Sequence, residues 1–308
     1  MTPSVRGGRA VTARDRGREP VIRVATRGSA LARWQAEHVA SLLQAADPEV
    51  AVELVVVDTQ GDRQLDVPIW EIGGKGVFAK EVQAAVLDGR ADLAVHSAKD
   101  LPSVSVPGLV IAAVPERGDA RDALVGSTLA ELPEGAEVAT GSLRRQAQLA
   151  ALRPDLRFVG LRGNMQTRLA KAADHDAIVV AAVALERLGL GDHLTEVLTT
   201  EQVLPQVAQG ALAVECRADD DGLRARLAAL DHAASRRCVD AERAFLRELG
   251  GDCSLPAAAH ATVVDGEVRV RGLLASVDGA TVLRHEGPDG AAVARHLLDH
   301  GGAALLRR

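Results

Sequence analysis

The chain has 308 residues, 47% of them apolar but only 2% aromatic, with no tyrosine, and its formal net charge at pH 7 is −6. That length can bury two or three cores, which must be built from Ala, Val and Leu. The acidic balance and the shortage of stacking rings argue against a nucleic-acid partner, and no apolar run is long enough to span a membrane. Cys216, Cys238 and Cys253 form an odd set without metal-ligand spacing, which fits a reducing cytoplasm better than a disulfide scaffold.

Residues 1–20 scatter arginine among Gly, Pro, Ser and Thr and read as a disordered extension. Val21-Ile22-Arg23-Val24-Ala25-Thr26 reads as a strand. Arg27-Gly28-Ser29 turns it into a helix over 30–46, with Ser29 as N-cap. Residues 50–57 read as a second strand and 58–71 as a loop leading into Ile72-Gly73-Gly74-Lys75-Gly76-Val77-Phe78. That glycine-rich stretch lacks phosphate-loop spacing. It reads as a flap carrying one positive charge or as an ordinary surface loop. A helix over 78–87 follows, then a strand over 92–95 that ends in His96-Ser97-Ala98-Lys99-Asp100. Polar residues at a strand end are where open α/β sheets carry chemistry. Asp100 reads as a turn cap or as a carboxylate kept ionised among cations. His96 reads as structural.

Pro115-Glu116-Arg117-Gly118-Asp119 is a hinge, and a second α/β unit follows. Its pattern is strand 136–140, helix 142–152, strand 156–161, helix 165–173 and strand 177–183, with Arg187 near a short helix. Two strand-to-helix junctions there concentrate arginine: Gly141-Ser142-Leu143-Arg144-Arg145, and Arg162-Gly163-Asn164-Met165-Gln166-Thr167-Arg168. Ser142 and Asn164 are N-cap candidates, so Arg144, Arg145 and Arg168 fall in or near first helical turns. Cations are unfavourable at that end of a helix, and a bound anion reverses the sign. Ordinary surface arginines would give the same pattern. Residues 203–210 are a second hinge, and 212–216 a strand returning to the first sheet, so two crossings frame a cleft. Helices over 223–230 and 233–249 end at Gly250-Gly251, before the loop Asp252-Cys253-Ser254-Leu255-Pro256, where a thiol can be reached. Strands over 258–264 and 267–275, joined at Asp265-Gly266, a third near 281–286 and a helix over 289–300 complete a small α+β unit.

Six segments, Ala25-Thr26-Arg27-Gly28-Ser29, Gly73-Gly74-Lys75-Gly76, Val95-His96-Ser97-Ala98-Lys99-Asp100, Gly141-Ser142-Leu143-Arg144-Arg145, Leu161-Arg162-Gly163-Asn164 and Gly251-Asp252-Cys253-Ser254, occur in an order that resembles the hydroxymethylbilane synthase (porphobilinogen deaminase) family. The resemblance spans residues 21–308. It implies an α/β protein: two α/β domains like those of type II periplasmic binding proteins, plus a small C-terminal α+β domain. The boundaries would be 21–115 with 211–232, then 119–206, then 236–308. The implied protein is a cytoplasmic, monomeric transferase of tetrapyrrole and heme biosynthesis, without metal, nucleic-acid or membrane partners. It would join four porphobilinogen units head to tail on a dipyrromethane cofactor and release linear hydroxymethylbilane by hydrolysis. The cofactor would hang from Cys253 through a thioether, held by Lys99, Ser142, Arg144, Arg145, Arg162, Gly163 and Arg168. Substrate and growing chain would meet Arg27, Ser29, Arg162, Arg168, Arg187 and Gln209. Asp100 would be catalytic, binding pyrrole N–H groups and stabilising the azafulvene cation formed on deamination. Gly73, Gly74, Lys75, Gly76 and Phe78 would form the flap. Asp252 and Ala208 stand where the family usually has glycine, and Gln206 is atypical; alanine at 208 is tolerable where the local φ is negative. A two-lobed anion binder without catalysis is the rival reading.

Overall fold

The computed structural model describes residues 21–63, 76–250 and 255–306. Its strands in chain order are β1 (Val21–Arg27), β2 (Ala51–Val57), β3 (Leu93–Ser97), β4 (Leu109–Ala113), β5 (Asp122–Val125), β6 (Glu137–Ala139), β7 (Arg157–Val159), β8 (Ala177–Ala181), β9 (Glu196–Val197), β10 (Leu212–Arg217), β11 (Ala257–Val264), β12 (Glu267–Ala275) and β13 (Val282–Gly287). They form sheets of order β2-β1-β3-β10-β4, β7-β6-β8-β5-β9 and β11-β12-β13.

The first two sheets share one plan. In the first, β1 pairs parallel with β2 and β3, while β10 runs antiparallel between β3 and β4. In the second, β6 pairs parallel with β7 and β8, while β5 runs antiparallel between β8 and β9. Parallel strands covered on both faces need apolar residues throughout, and Ala-Ile-Val-Val-Ala of β8 is buried along its whole length. This is the two-lobed α/β architecture expected, joined to a three-stranded antiparallel sheet. Several elements differ from the sequence expectation: β9 and the helix Ala303–Leu306 had no counterpart, and Ala182 and Val183, read as the end of a strand over 177–183, open the helix Ala182–Arg187. Within 58–71 a short helix, Gln60–Arg63, replaces part of the loop. The strand β5 had no counterpart, because four residues beginning with a charge give no readable periodicity.

The chain crosses between the lobes twice, from β4 to β5 and from β9 to β10. The crossings meet where Gly118 N donates to Gly210 O at 3.2 Å. Gly210 has φ +87°, and a Cβ there would lie 2.5 Å from Gly118 O, so both conformation and space demand glycine. Ala208, on the same crossing, has φ +59°. The condition that would have made alanine comfortable is therefore not met; an L side chain in this region costs about 1–2 kcal/mol.

The third unit packs helices Ala233–Glu248 and Gly290–Leu297 against β11 and β12. Asp265 and Gly266 turn the hairpin with φ +52° and +80°, as a two-residue turn with both centres left-handed requires. Fully buried Phe245 fills the space over Gly272, where a Cβ would come within 2.6 Å of the ring.

Candidate active site

The arginine-bearing junctions all follow C-terminal ends of parallel strands, the side of an open α/β sheet where ligands bind. Arg27 and Ser29 follow β1, Lys99 and Asp100 follow β3, Ser142 to Arg145 follow β6, Arg162 to Arg168 follow β7, and Arg187 follows β8. Ser142 caps helix Leu143–Leu152 and Asn164 caps helix Met165–Ala170. Arg144 and Arg145 therefore sit in a first turn, where their charge needs an anion.

Part of that anion belongs to the protein. Asp122, at the start of β5 and wholly buried, lies 2.7 Å from Arg144 Nη1 and 2.7 Å from Arg145 Nη2. Burial alone would raise its pKa, but the two guanidiniums outweigh this and hold the carboxyl well below the usual range. Gln209, also fully buried, donates to Asp122 Oδ1 at 2.8 Å and accepts from Lys99 Nζ at 3.1 Å. Lys99, Gln209, Asp122, Arg144 and Arg145 thus form one network spanning the two lobes and a crossing.

The other cations of the cluster are destabilised by burial. Burial, followed by the charge of Arg145, lowers the Lys99 pKa to about 8. Burial and then Arg145 lower that of Arg168 to about 10, with Asp100 pulling the other way. Arg162 is lowered by burial as well. Arg144 Nε and Nη2 are buried and find no hydrogen-bond partner among the described residues. Orphaned donors and destabilised cations would both be relieved by carboxylates brought in from outside. This donor set fits dipyrromethane, an acidic group.

Arg187 closes the same region from the second lobe. It donates to Gly210 O at 2.7 Å and lies over Trp34 of the first lobe at 5.3 Å. Arg187 and Lys99 both line a small pocket between the lobes with Gln35, Ser97 and Ala211. Burial lowers the Arg187 pKa to about 10. Arg27 instead lies over Phe78, 4.2 Å from the ring centroid, and Ser29 accepts from Ala32 N as a helix cap. Gly163 has φ +111° beside Arg162, and Arg168 Nε donates to its carbonyl at 2.9 Å. Gly76 carries φ +76°, and a Cβ there would lie 3.2 Å from Pro102 Cγ. Gly73, Gly74, Lys75, Asp252 and Cys253 lie outside the described residues. His96 is buried, with Nε2 3.2 Å from Glu215 Oε2.

Residues 22–225 match the family model "Porphobilinogen deaminase, dipyromethane cofactor binding domain", and 236–297 match "Porphobilinogen deaminase, C-terminal domain". The chain belongs to the porphobilinogen deaminase family. Porphobilinogen deaminase of Syntrophotalea carbinolica is 49% identical over 268 residues, covering 85% of each chain. That of Nitratidesulfovibrio vulgaris is 49% identical over 287 residues, covering 90% of each. That of Syntrophomonas wolfei is 46% identical over 300 residues, covering 92% of this chain and 97% of its own. Porphobilinogen deaminase family membership makes this a transferase of tetrapyrrole biosynthesis with a dipyrromethane cofactor.

Asp122 is the functional-site residue that sequence reasoning missed. Its only signal was an aspartate opening a short apolar run just past the first hinge.

Proposed function

We propose that this chain deaminates porphobilinogen and links four units head to tail on a dipyrromethane primer attached to Cys253 by a thioether, then releases linear hydroxymethylbilane by hydrolysis. The primer, when bound, supplies the pyrrole end on which the chain grows. Lys99, Arg144, Arg145, Arg162 and Arg168 grip acetate and propionate groups by charge-assisted bonds, and Arg187 does so from the far side. Arg27 and Ser29 receive the incoming monomer, and Gln209 keeps Lys99 directed. Asp100, within the electrostatic reach of Lys99 and Arg168, steadies the positive charge that develops as ammonia leaves. The flap from Gly73 to Phe78 limits solvent access. We place the lobes at 21–115 with 211–232 and at 119–206, the cofactor-bearing domain at 236–308, and the protein in the cytoplasm as a monomer. Among the described residues no helix is long and apolar enough to cross a membrane.

The observation that carries this reading is the buried cation cluster of Lys99, Arg144, Arg145 and Arg168, in which Asp122 holds the two paired arginines and Asp100 lies within electrostatic reach of Lys99 and Arg168. Intact-mass measurement of the purified chain is expected to exceed the sequence mass by one dipyrromethane. Asp100→Ala is expected to keep that added mass while bilane formation falls by about 10²-fold or more. Near-normal bilane formation by the variant would remove Asp100 from the chemistry, and an unmodified wild-type mass would remove the cofactor from Cys253.

A further inference from the structure

We propose that Arg243, a residue of the C-terminal unit, is a positioning residue for Asp100. The inference rests on the reading of Asp100 given above. Asp100 ends a single 3-10 turn, Ala98–Asp100, and is followed by Leu101, Pro102 and Ser103. Such a turn has little stiffness of its own, and Pro102 has no N–H with which to tie itself down. Its geometry must come from outside.

Three anchors provide it, one of them Gln206 Nε2 donating to Lys99 O at 3.4 Å within the turn itself. Upstream, Ala98 N donates to Ala211 O of the return crossing at 3.0 Å. Downstream, Arg243 Nη2 donates to Pro102 O at 2.8 Å and leans toward Ser103 O at 3.4 Å. Between them, Ala98 and Leu101 sink into the same apolar cluster as Cys238, Val239 and Leu246. Helix Ala233–Glu248, which leads toward the Cys253 loop, is thus also the floor beneath the Asp100 turn.

Arg243 is only 7% exposed and has no salt bridge among the described residues. Its charge-assisted bonds go to the backbone of one loop. For filling space, an apolar side chain of similar volume would cost less than a buried guanidinium. What the guanidinium adds is a fixed place for two carbonyls. The carboxylate-gripping arginines lie on other elements and are not held by it. Moving the Asp100 turn should therefore harm the chemical step far more than binding.

The test uses the full-length protein carrying its cofactor. Arg243→Gln is expected to lower kcat about tenfold or more, as a misplacement on the order of 1 Å can, with KM within about twofold of wild type. Arg243→Lys, which restores a charged donor, is expected to recover most of that loss. The inference is overturned if Arg243→Gln leaves kcat unchanged, if the loss falls on KM, or if Arg243→Lys fails to restore kcat while melting with Arg243→Gln. Should Arg243→Gln fail to accumulate, Arg243→Met, which keeps the volume and removes the donor, decides: reduced kcat at constant KM supports the role, and wild-type kinetics overturn it. Wild-type protein measured alongside separates the two claims. Wild type without added dipyrromethane mass or bilane formation ends the parent reading, whereas active wild type with an indifferent Arg243 ends this one alone.

Discussion

Lys99 shows how burial and function pull one side chain in opposite directions. Its ammonium is desolvated and repelled by Arg145, so its pKa falls from 10.5 to about 8. A base whose folded pKa is depressed carries its full penalty below that value. Between about pH 8 and about 10.4 the unfolded chain binds more protons, so this group's contribution to stability improves as pH rises. Carboxylate binding runs the other way, because the neutral amine has no charge to offer. The lowered pKa belongs to the chain without its cofactor, so cofactor attachment by the apoprotein, followed as added mass, is expected to slow above about pH 8. Lys99→Arg stays charged throughout, so this limb should vanish in the variant whatever its absolute activity. A limb at the same pH in both proteins would assign the titration to another group.

At the scale of elements, long or strongly patterned segments were legible and short ones were not. The helix Ala30–Ala46 with its Ser29 cap, β8 with five successive buried apolar residues, and the Asp265-Gly266 hairpin each declare themselves locally. The arginine clusters were legible because cations at a helix start contradict the local electrostatics. Strand β5 was not legible, being stabilised by partners on both sides rather than by its own sequence. Asp122 was hidden with it, since nothing in the chain says that it will face Arg144 and Arg145. The crossing at Ala208 is the third case: the residue was visible as a departure, but its sign depended on a dihedral only the fold supplies. With φ at +59°, Ala208→Gly relieves about 1–2 kcal/mol of strain and returns about 0.4–1 kcal/mol through a freer unfolded chain. Losing the buried Ala208 methyl takes back about 0.8 kcal/mol more, so a urea midpoint nearly unmoved at unchanged slope is expected. A loss of more than about 1 kcal/mol would mean that Ala208 is not held in the left-handed region.

Across the whole molecule, three sheets need one mechanical connection if a cofactor on the third unit is to serve a cleft between the first two. Glu242 supplies much of it. Its carboxylate is fully buried and accepts from Arg117 Nη1 at 2.6 Å and Nη2 at 3.1 Å on the outgoing crossing. It also accepts from Ala208 N at 2.6 Å on the return crossing and from Ala261 N at 2.7 Å on β11. One side chain thus satisfies donors from both crossings and the third sheet. Glu242→Gln keeps the shape but turns one acceptor into a donor facing other donors, and leaves Arg117 buried without its charge partner. Breaking a buried pair in this way costs about 3–5 kcal/mol. Because the lost bonds lie between units rather than within one, the loss should appear as lost coupling as well as lost stability. Calorimetry is expected to show one main transition for the wild type and a broadened or split one for the variant. A single transition of native sharpness, merely shifted, would show that the apolar cluster around Phe245 and Val207 couples the units without help from Glu242.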